Sequence, residues 1–504
     1  MAASVLFIFF IFLSQLYTPS IAHLQSLEGF ISLSVSEKGL DFVKDLLIDR
    51  AVSALTPIEL PQIERHAKIP VVGKVHIVLS DIIIDHIDIS SSFIESGEAG
   101  VAIAASGATA NLSMNWKYSY KTWLIPIEVS DEGKASVQVE RMEVGLVASM
   151  KNHEGNLRLS LTECVCSVED IIIKLDGGAS WLYQGVVDAF GNRIESAVED
   201  AVVKKIEEGI FKMDSILQSL PKEIPVDDIS ALNVTFVYDP FFSESSVDFN
   251  INGLFIERSK ALTSQCHHGK SQAFASCNGS SKMVAITLRE EVFNSASLTY
   301  FYAGVMNWTV HKIPDQSILN TADWRYAIPQ LYDLFPDDEM NLNVSASSPP
   351  IINVFDDHID ATIYADVIIG VLDNSKAMPV ACISLVITAS GFVEISGNNL
   401  TGSIKLDGIT SSLKWSKIGD LPLNQIQAVI LTVFEAVLLP RLNLHLMHGF
   451  PLPLFRGLKL QNAKISCTKS KITVCSDVEF MEIYKFLAAI QSSTAVFSQG
   501  PYDI

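Results

Sequence analysis

Residues 178–220 read GASWLYQGVVDAFGNRIESAVEDAVVKKIEEGIFKMDSILQSL, with no proline anywhere in the stretch. Leu182, Val186, Phe190, Ile194, Val198, Val202, Ile206 and Ile210 recur at every fourth position, while Glu195, Glu199, Asp200, Lys204, Lys205, Glu207 and Glu208 take the other sides. That is the period of an amphipathic helix with one apolar stripe and one solvated face. So long a stripe needs an apolar partner of similar length. Residues 71–175, which precede it, offer only strands. Val75, Ile77, Leu79, Ile83, Ile87 and Ile89 fall on alternate positions of a β-branched run, and further strand segments lie at 101–105, 111–117, 125–129, 137–150, 157–161 and 171–175. A long helix laid along a strongly curved sheet leaves an apolar seam between them, and lipid suits such a seam.

Working outward, a helix is expected over 37–55, with Ser36 as N-cap and Leu40, Val43, Leu47, Ala51 and Ala54 as its buried stripe. The second half repeats the order. A helix over 315–335, interrupted by Pro329, precedes strands at 341–346, 359–369, 381–389, 392–396, 402–406 and 411–414. A long apolar helix, 423–448, closes it; the apolar run 426–439 within it is too short to span a bilayer and ends at Pro440. Helix, strands, long helix, twice over, is an internal duplication at the level of pattern. The tetrapeptide Asp-His-Ile-Asp even occurs in both halves, at 85–88 and 357–360.

A chain of 504 residues accommodates two domains, each with a substantial core. The expected division is a first unit at 23–225, a central sheet or linker at 226–260, a second unit at 261–482 and a tail at 483–504. The first 22 residues carry a short apolar core, 5–16, and small residues at Ser20-Ile21-Ala22, the pattern of a secretory signal peptide. The expected location is therefore extracellular. In that setting Asn111, Asn233, Asn278, Asn307, Asn343 and Asn399, each opening Asn-X-Ser/Thr, are candidate glycan acceptors. Cys266 with Cys277, and Cys467 with Cys475, are expected to form two local disulfides. Cys164, Cys166 and Cys382 are left without an evident arrangement.

The net charge of −21 argues against a nucleic-acid partner. Mean hydropathy is +0.30, an excess that a ligand cavity or two large cores would absorb. Catalytic patterns are absent: there is no Gly-X-Ser-X-Gly, no His-Glu-X-X-His and no glycine-rich phosphate loop. Ser411-Ser-Leu-Lys414 is too brief to carry a nucleophile assignment. Along a strand His86 and Asp88 face opposite to Asp85, so these residues cannot converge on a metal by themselves. Cys266-His267-His268 has ligand residue types, yet a disulfide is the expected use of its cysteine. No enzyme, cofactor or metal is expected. One polar cluster stands out: Trp116, Lys117, Tyr118, Tyr120, Lys121 and Trp123, with no acidic residue between Trp116 and Ile127. Rings interleaved with lysines suit a headgroup–acyl boundary.

The segments Asn343-Val-Ser-Ala-Ser-Ser-Pro-Pro350, Gly402-Ser-Ile-Lys-Leu406, Leu439-Pro-Arg-Leu-Asn443 and Gly449-Phe-Pro-Leu-Pro453 closely resemble the C-terminal half of the bactericidal/permeability-increasing and lipopolysaccharide-binding proteins. Ser36-Glu-Lys-Gly-Leu-Asp41, Gly73-Lys74 and Trp181-Leu182 fall in matching order in the first half. The resemblance implies an α+β fold of two tandem tubular lipid-binding barrels, each a highly curved antiparallel sheet wrapped with a long helix. A central sheet joins them in a boomerang, and an apolar tunnel in each half holds phospholipid. It further implies recognition of lipopolysaccharide in innate defence, at a bacterial outer-membrane surface or from lipid micelles. Lys68, Lys74, Lys117 and Lys121 match basic residues of the family's tip. Two departures accompany it. Residues 25–220 carry 17 Lys and Arg against 29 Asp and Glu, so long-range attraction to an anionic surface is expected to be weak or repulsive. The family's disulfide in this half begins near Cys166, but the matching helix position here has no cysteine.

Overall fold

The computed structural model describes residues 28–69, 73–121, 127–176, 183–258, 277, 281–313, 319–373, 376–455 and 457–481. The expected signal peptide, the 483–504 tail, Leu182, Trp123, Cys266 and Asn278 lie outside the described residues.

In the first half, strand β1 (Ile31–Ser36) runs into helix α1 (Glu37–Leu55), and Ser36 accepts a hydrogen bond from the Gly39 amide as the expected N-cap. The sheet then builds through β2 (Ile58–Leu60), β3 (Ile63–Ile69), β4 (Gly73–Asp88), β5 (Ser91–Gly97), β6 (Gly100–Lys121), β7 (Glu128–His153) and β8 (Asn156–Asp176). Its spine is ordered β2-β4-β6-β7-β8, all antiparallel, with β3 added to β4 and β5 to β6. Segments read from sequence as separate strands are thus joined into ribbons of 22, 26 and 21 residues. Bulges bend them, as at Arg141, where φ is +51° and the β6–β7 register shifts nearby.

Helix α2 (Tyr183–Gln218) is the expected long helix, 36 residues and roughly 54 Å by its rise. Phe190, Ile194, Val198 and Val202 of its stripe are sealed in the core. It lies along β8, which among the described residues has no strand neighbour on its outer side. There the Glu199 carboxylate accepts the Val168 amide at 2.9 Å and Asp214 accepts the Leu159 amide at 2.8 Å. The same helix packs against β3 and β2 at the other end of the sheet. One helix therefore closes the curved sheet and satisfies its edge.

The second half repeats this plan. Its sheet is ordered Asn307–Val310, Met340–Ala346, Ile359–Asp373, Lys376–Ser396, Asn399–Ser416, Phe450–Pro451, with Ile351–Val354 added to Ile359–Asp373. Residues 423–448 are helical throughout. Pro440 does not end the helix, because a π turn at Phe434–Leu438 sets the Leu439 amide on the Phe434 carbonyl and restarts the helix with proline in its first turn. Amides replace carboxylates at the sheet edge: Asn443 accepts from the Ile404 amide at 2.8 Å and donates to its carbonyl at 3.1 Å, and Gln427 donates to the Ile409 carbonyl at 2.9 Å.

Three expectations change. The helix over 315–335 is a 3₁₀ turn, Thr321–Trp324, followed by a short helix that Pro329 starts rather than interrupts. The true counterpart of α1 is Glu290–Tyr302, which follows the strand Val284–Arg289 as α1 follows β1. On α1 the buried positions include Lys44, while Val43 and Ala54 of the expected stripe are exposed. Lys44 tolerates this because Asp41, Asp45 and the Ser92 carbonyl surround its ammonium at 3.1–3.4 Å.

The central sheet has six strands, ordered Phe241–Phe242, Ser246–Ile251, β1, Val284–Arg289, Lys471–Phe480, Leu458–Thr468. The segment 226–260 supplies only the first two, so it is not the central sheet by itself. Strand pairing here gathers distant stretches: Leu33 of β1 lies opposite Ile286, which joins the equivalent strands of the two halves.

The disulfides are also corrected. Cys277 is bonded to Cys475, 198 residues away, and neither local pair forms. Cys467 is a free thiol because the final hairpin sets it opposite Ile472 and Cys475 opposite Lys464. Cys164, Cys166 and Cys382 are free as well.

Candidate functional site

Inward-facing residues of the first sheet can be followed strand by strand. Toward the tip, Ile84, Leu112, Val137 and Ile173 form one row across β4, β6, β7 and β8, and none is more than 2% exposed. Toward the central sheet the row Ile94, Ile103, Leu146 and Cys164 crosses β5, β6, β7 and β8, and all four are only half-buried. The difference is one of packing, since both rows are apolar.

The tip-side core extends as far as Val52 on α1, Ala108 on β6, Val144 on β7, Cys166 on β8 and Ile206 on α2. The core at the central sheet begins at Phe42, Val101, Met150, Leu157 and Leu217 on the same elements. The row between them belongs to neither core, and the adjoining Leu46, Leu47, Ile210 and Met213 of the two helices share its half-buried state. A closed tube with an uncovered apolar band inside has the form of an acyl-chain site. The thiols fit such a wall. Burial, with Glu199 and Cys164 nearby, pushes Cys166 up to about 12, and burial with Glu207 nearby raises Cys164. Both remain neutral and act as small apolar groups.

The second half has a matching band of half-buried Leu298, Phe301, Ile404 and Leu442, between a tip core and the central core. At its tip the apolar cavity under Trp324, Leu331 and Ile430 holds only about 20 Å³, too little for a chain.

Sequence reasoning expected an apolar seam beside the long helix but did not identify the residues that line either band. The signal was present in the wholly apolar stretch 101–105, which shows no alternation, but only the register aligns Ile103 with Leu146 and Cys164.

The expected headgroup residues are distributed unevenly. Lys68 and Lys74 lie directly opposite one another on β3 and β4, both exposed, and neither has an ion-pair partner among the described residues. His66 and His76 form the next pair on the same face, with ring centroids 4.7 Å apart and His76 bonded to Glu64 at 2.6 Å. Lys117 faces Glu132 across the ladder at 3.5 Å, and Lys121 faces Glu128. Trp116 is not a surface ring. It is 2% exposed, donates its indole N–H to the Lys134 carbonyl at 2.9 Å and stacks on Tyr118 inside the sheet. Strand alternation explains this, because Lys117 points out only if Trp116 and Tyr118 point in.

From Ile103 to Lys117 the strand covers roughly 45 Å. A single acyl chain reaches about half of a bilayer's roughly 30 Å hydrocarbon thickness. One lipid cannot have its chains in the band and its phosphate on these lysines at the same time.

Among the described residues no group of three His, Cys, Asp or Glu side chains is placed to hold a metal ion. Of the candidate acceptors, Asn111 and Asn307 are exposed, whereas Asn233, Asn343 and Asn399 are half-buried. Asn233 accepts from both the amide and the hydroxyl of Thr235 in its own sequon.

The geometry defines a two-barrel protein in which long helices close curved sheets over incompletely filled apolar interiors. Comparison with known proteins agrees. The N-terminal domain model of the LBP / BPI / CETP family matches residues 39–220 and its C-terminal domain model matches 225–480. The chain belongs to this family of lipid-binding proteins. It is 50% identical over 476 residues to a BPI/LBP family protein of Arabidopsis thaliana, covering 94% of this chain and 97% of that one. It is 25% identical to a bactericidal permeability-increasing protein of Sebastes schlegelii over 90% of this chain and 96% of that one. It is 23% identical to the human lipopolysaccharide-binding protein, over 94% and 98%. The crystal structure of a lipopolysaccharide binding protein superposes with a TM-score of 0.65 at 20% identity, over 90% of this chain and all of that one.

Proposed function

We propose that this chain is a secreted, glycosylated, non-enzymatic protein that captures lipopolysaccharide, through its lipid A, or related phosphorylated amphiphiles in innate defence. The half-covered band between two packed cores is the observation that carries this reading. Each methylene moved from water into it would contribute about 0.8 kcal/mol. The tip lysines would touch phosphates of lipid still held in a micelle or outer membrane, before a chain reaches the band. Lys68 and Lys74 are the stronger pair for this role, since two unpaired ammonium groups facing each other repel until an anion lies between them. The test is calorimetry of lipid A with Lys68, Lys74, Lys117 and Lys121 replaced by Glu. Unchanged affinity removes the tip from the site.

A second reading is a phospholipid carrier without a microbial role. The net charge of −21, and the carboxylates facing Lys117 and Lys121, favour it. Native mass spectrometry of the purified protein, followed by competition with lipopolysaccharide, separates the two. Bound phospholipid that never yields to lipopolysaccharide selects the carrier.

A further inference from the structure

Between the β2–β3 segment and the outer side of α2 lies a groove of about 750 Å³. It is distinct from the inner band, for its floor is closed by Leu60, Ile63, Ala197 and Ala201, all part of or packed on the sealed tip-side core. Its walls carry four cations and four carboxylates, which differ in how they are engaged. Lys205 is paired with Glu208 at 2.8 Å, and Glu64 is bonded to His76 on the far side of β3. Arg65, Arg193 and Lys204 line the groove with no ion-pair or hydrogen-bond partner among the described residues. Glu59 and Asp200 complete the lining, so the groove is neutral in sum; in a chain of net charge −21 that is a local departure from the acidic background, and Arg65, Arg193 and Lys204 are the cations in it that no ion pair holds.

We infer that this groove binds the phosphate-bearing headgroup of an amphiphile, with Arg65, Arg193 and Lys204 on the phosphate and the first carbons of the chain on the Leu60–Ile63 floor. Guanidinium forks match phosphate oxygens, and a lysine adds a mobile point charge. The apolar floor distinguishes an amphiphile from a free anion. The inference rests on the lipid-binding reading above and adds a third location to it, between tip and band.

The test titrates three probes into the full chain by calorimetry: dihexanoylphosphatidic acid, glycerol 3-phosphate and inorganic phosphate. Wild type is compared with the R65E/R193E/K204E variant, whose changes lie on exposed side chains. A diazirine-bearing phosphatidic acid then maps the site by cross-linked peptides. The expected result is at least a tenfold weaker affinity of the variant for the short-chain lipid, weaker binding of both tail-less probes by wild type, and labelling of peptides containing 58–65 and 193–208 that the variant loses. Affinity within twofold of wild type overturns the inference, as does labelling confined to peptides containing Leu146 or Ile210. Inorganic phosphate binding as tightly as the lipid overturns the amphiphile assignment. Lipid co-purifying unchanged with the variant leaves the general reading intact, whereas a wild type that carries no lipid anywhere fails that reading instead.

Discussion

Ile103 lies directly opposite Leu146 on the neighbouring strand, and neither joins the buried core on either side of them. Nine residues along the same two strands, Leu112 and Val137 are sealed. The two pairs should respond differently to truncation. Leu112→Ala should cost about 2–5 kcal/mol in denaturant unfolding of lipid-free protein, while Leu146→Ala should cost about 1 kcal/mol or less, because its surroundings already lack packing. Equal costs would show that the band is as well packed as the tip.

The Cys277–Cys475 bond ties the segment before Val284–Arg289 to the last strand across 198 residues. Replacing Cys475 by Ser should destabilise the protein by about 2–5 kcal/mol, since so long a closed loop strongly restricts the unfolded chain. Peptide mapping under non-reducing conditions should find Cys277 linked to Cys475. A Cys467–Cys475 link would contradict the register of the final hairpin.

Asp477 accepts from Lys282 at 2.7 Å and Lys38 at 2.9 Å, and these bonds hold its carboxyl below the ordinary carboxylate range. A depressed folded-state pKa contributes stability above the ordinary value of 3.8 that is lost as pH falls through the folded value. Asp477→Asn should therefore lower stability by about 1–2 kcal/mol at neutral pH. It should also flatten the decline in unfolding temperature below about pH 4. An unchanged acid limb would exclude this carboxylate as a contributor.

The Asn443 side chain clasps both backbone groups of Ile404. Asn443→Ala should cost about 1–3 kcal/mol, through unsatisfied edge groups. Hydrogen exchange should accelerate at the Ile404 amide but not at Leu385, in the strand beside it.

Much of this fold was legible because a helical stripe and strand alternation are local patterns. Phe190 to Val202 announce a buried helix face, and the alternation of Val75, Ile77 and Leu79 announces a buried strand face. What failed depends on partners far away in sequence. Lys44 is buried only because Asp41, Asp45 and the Ser92 carbonyl surround it, and Cys475 finds Cys277 through a sheet that no single stretch encodes. Trp116 was misplaced because an aromatic beside lysines carries no mark of which face it takes until the register is fixed. The band itself consists of ordinary apolar residues, distinguished only by what does not pack on them.

The most direct measurement is native mass spectrometry of wild type and Leu146→Trp after equilibration with phospholipid. The indole should fill the first-half band, so the variant should carry one lipid fewer than wild type at an unfolding temperature within a few degrees of it. Full lipid load on a folded Leu146→Trp protein, or a wild type that takes up none, would contradict the account.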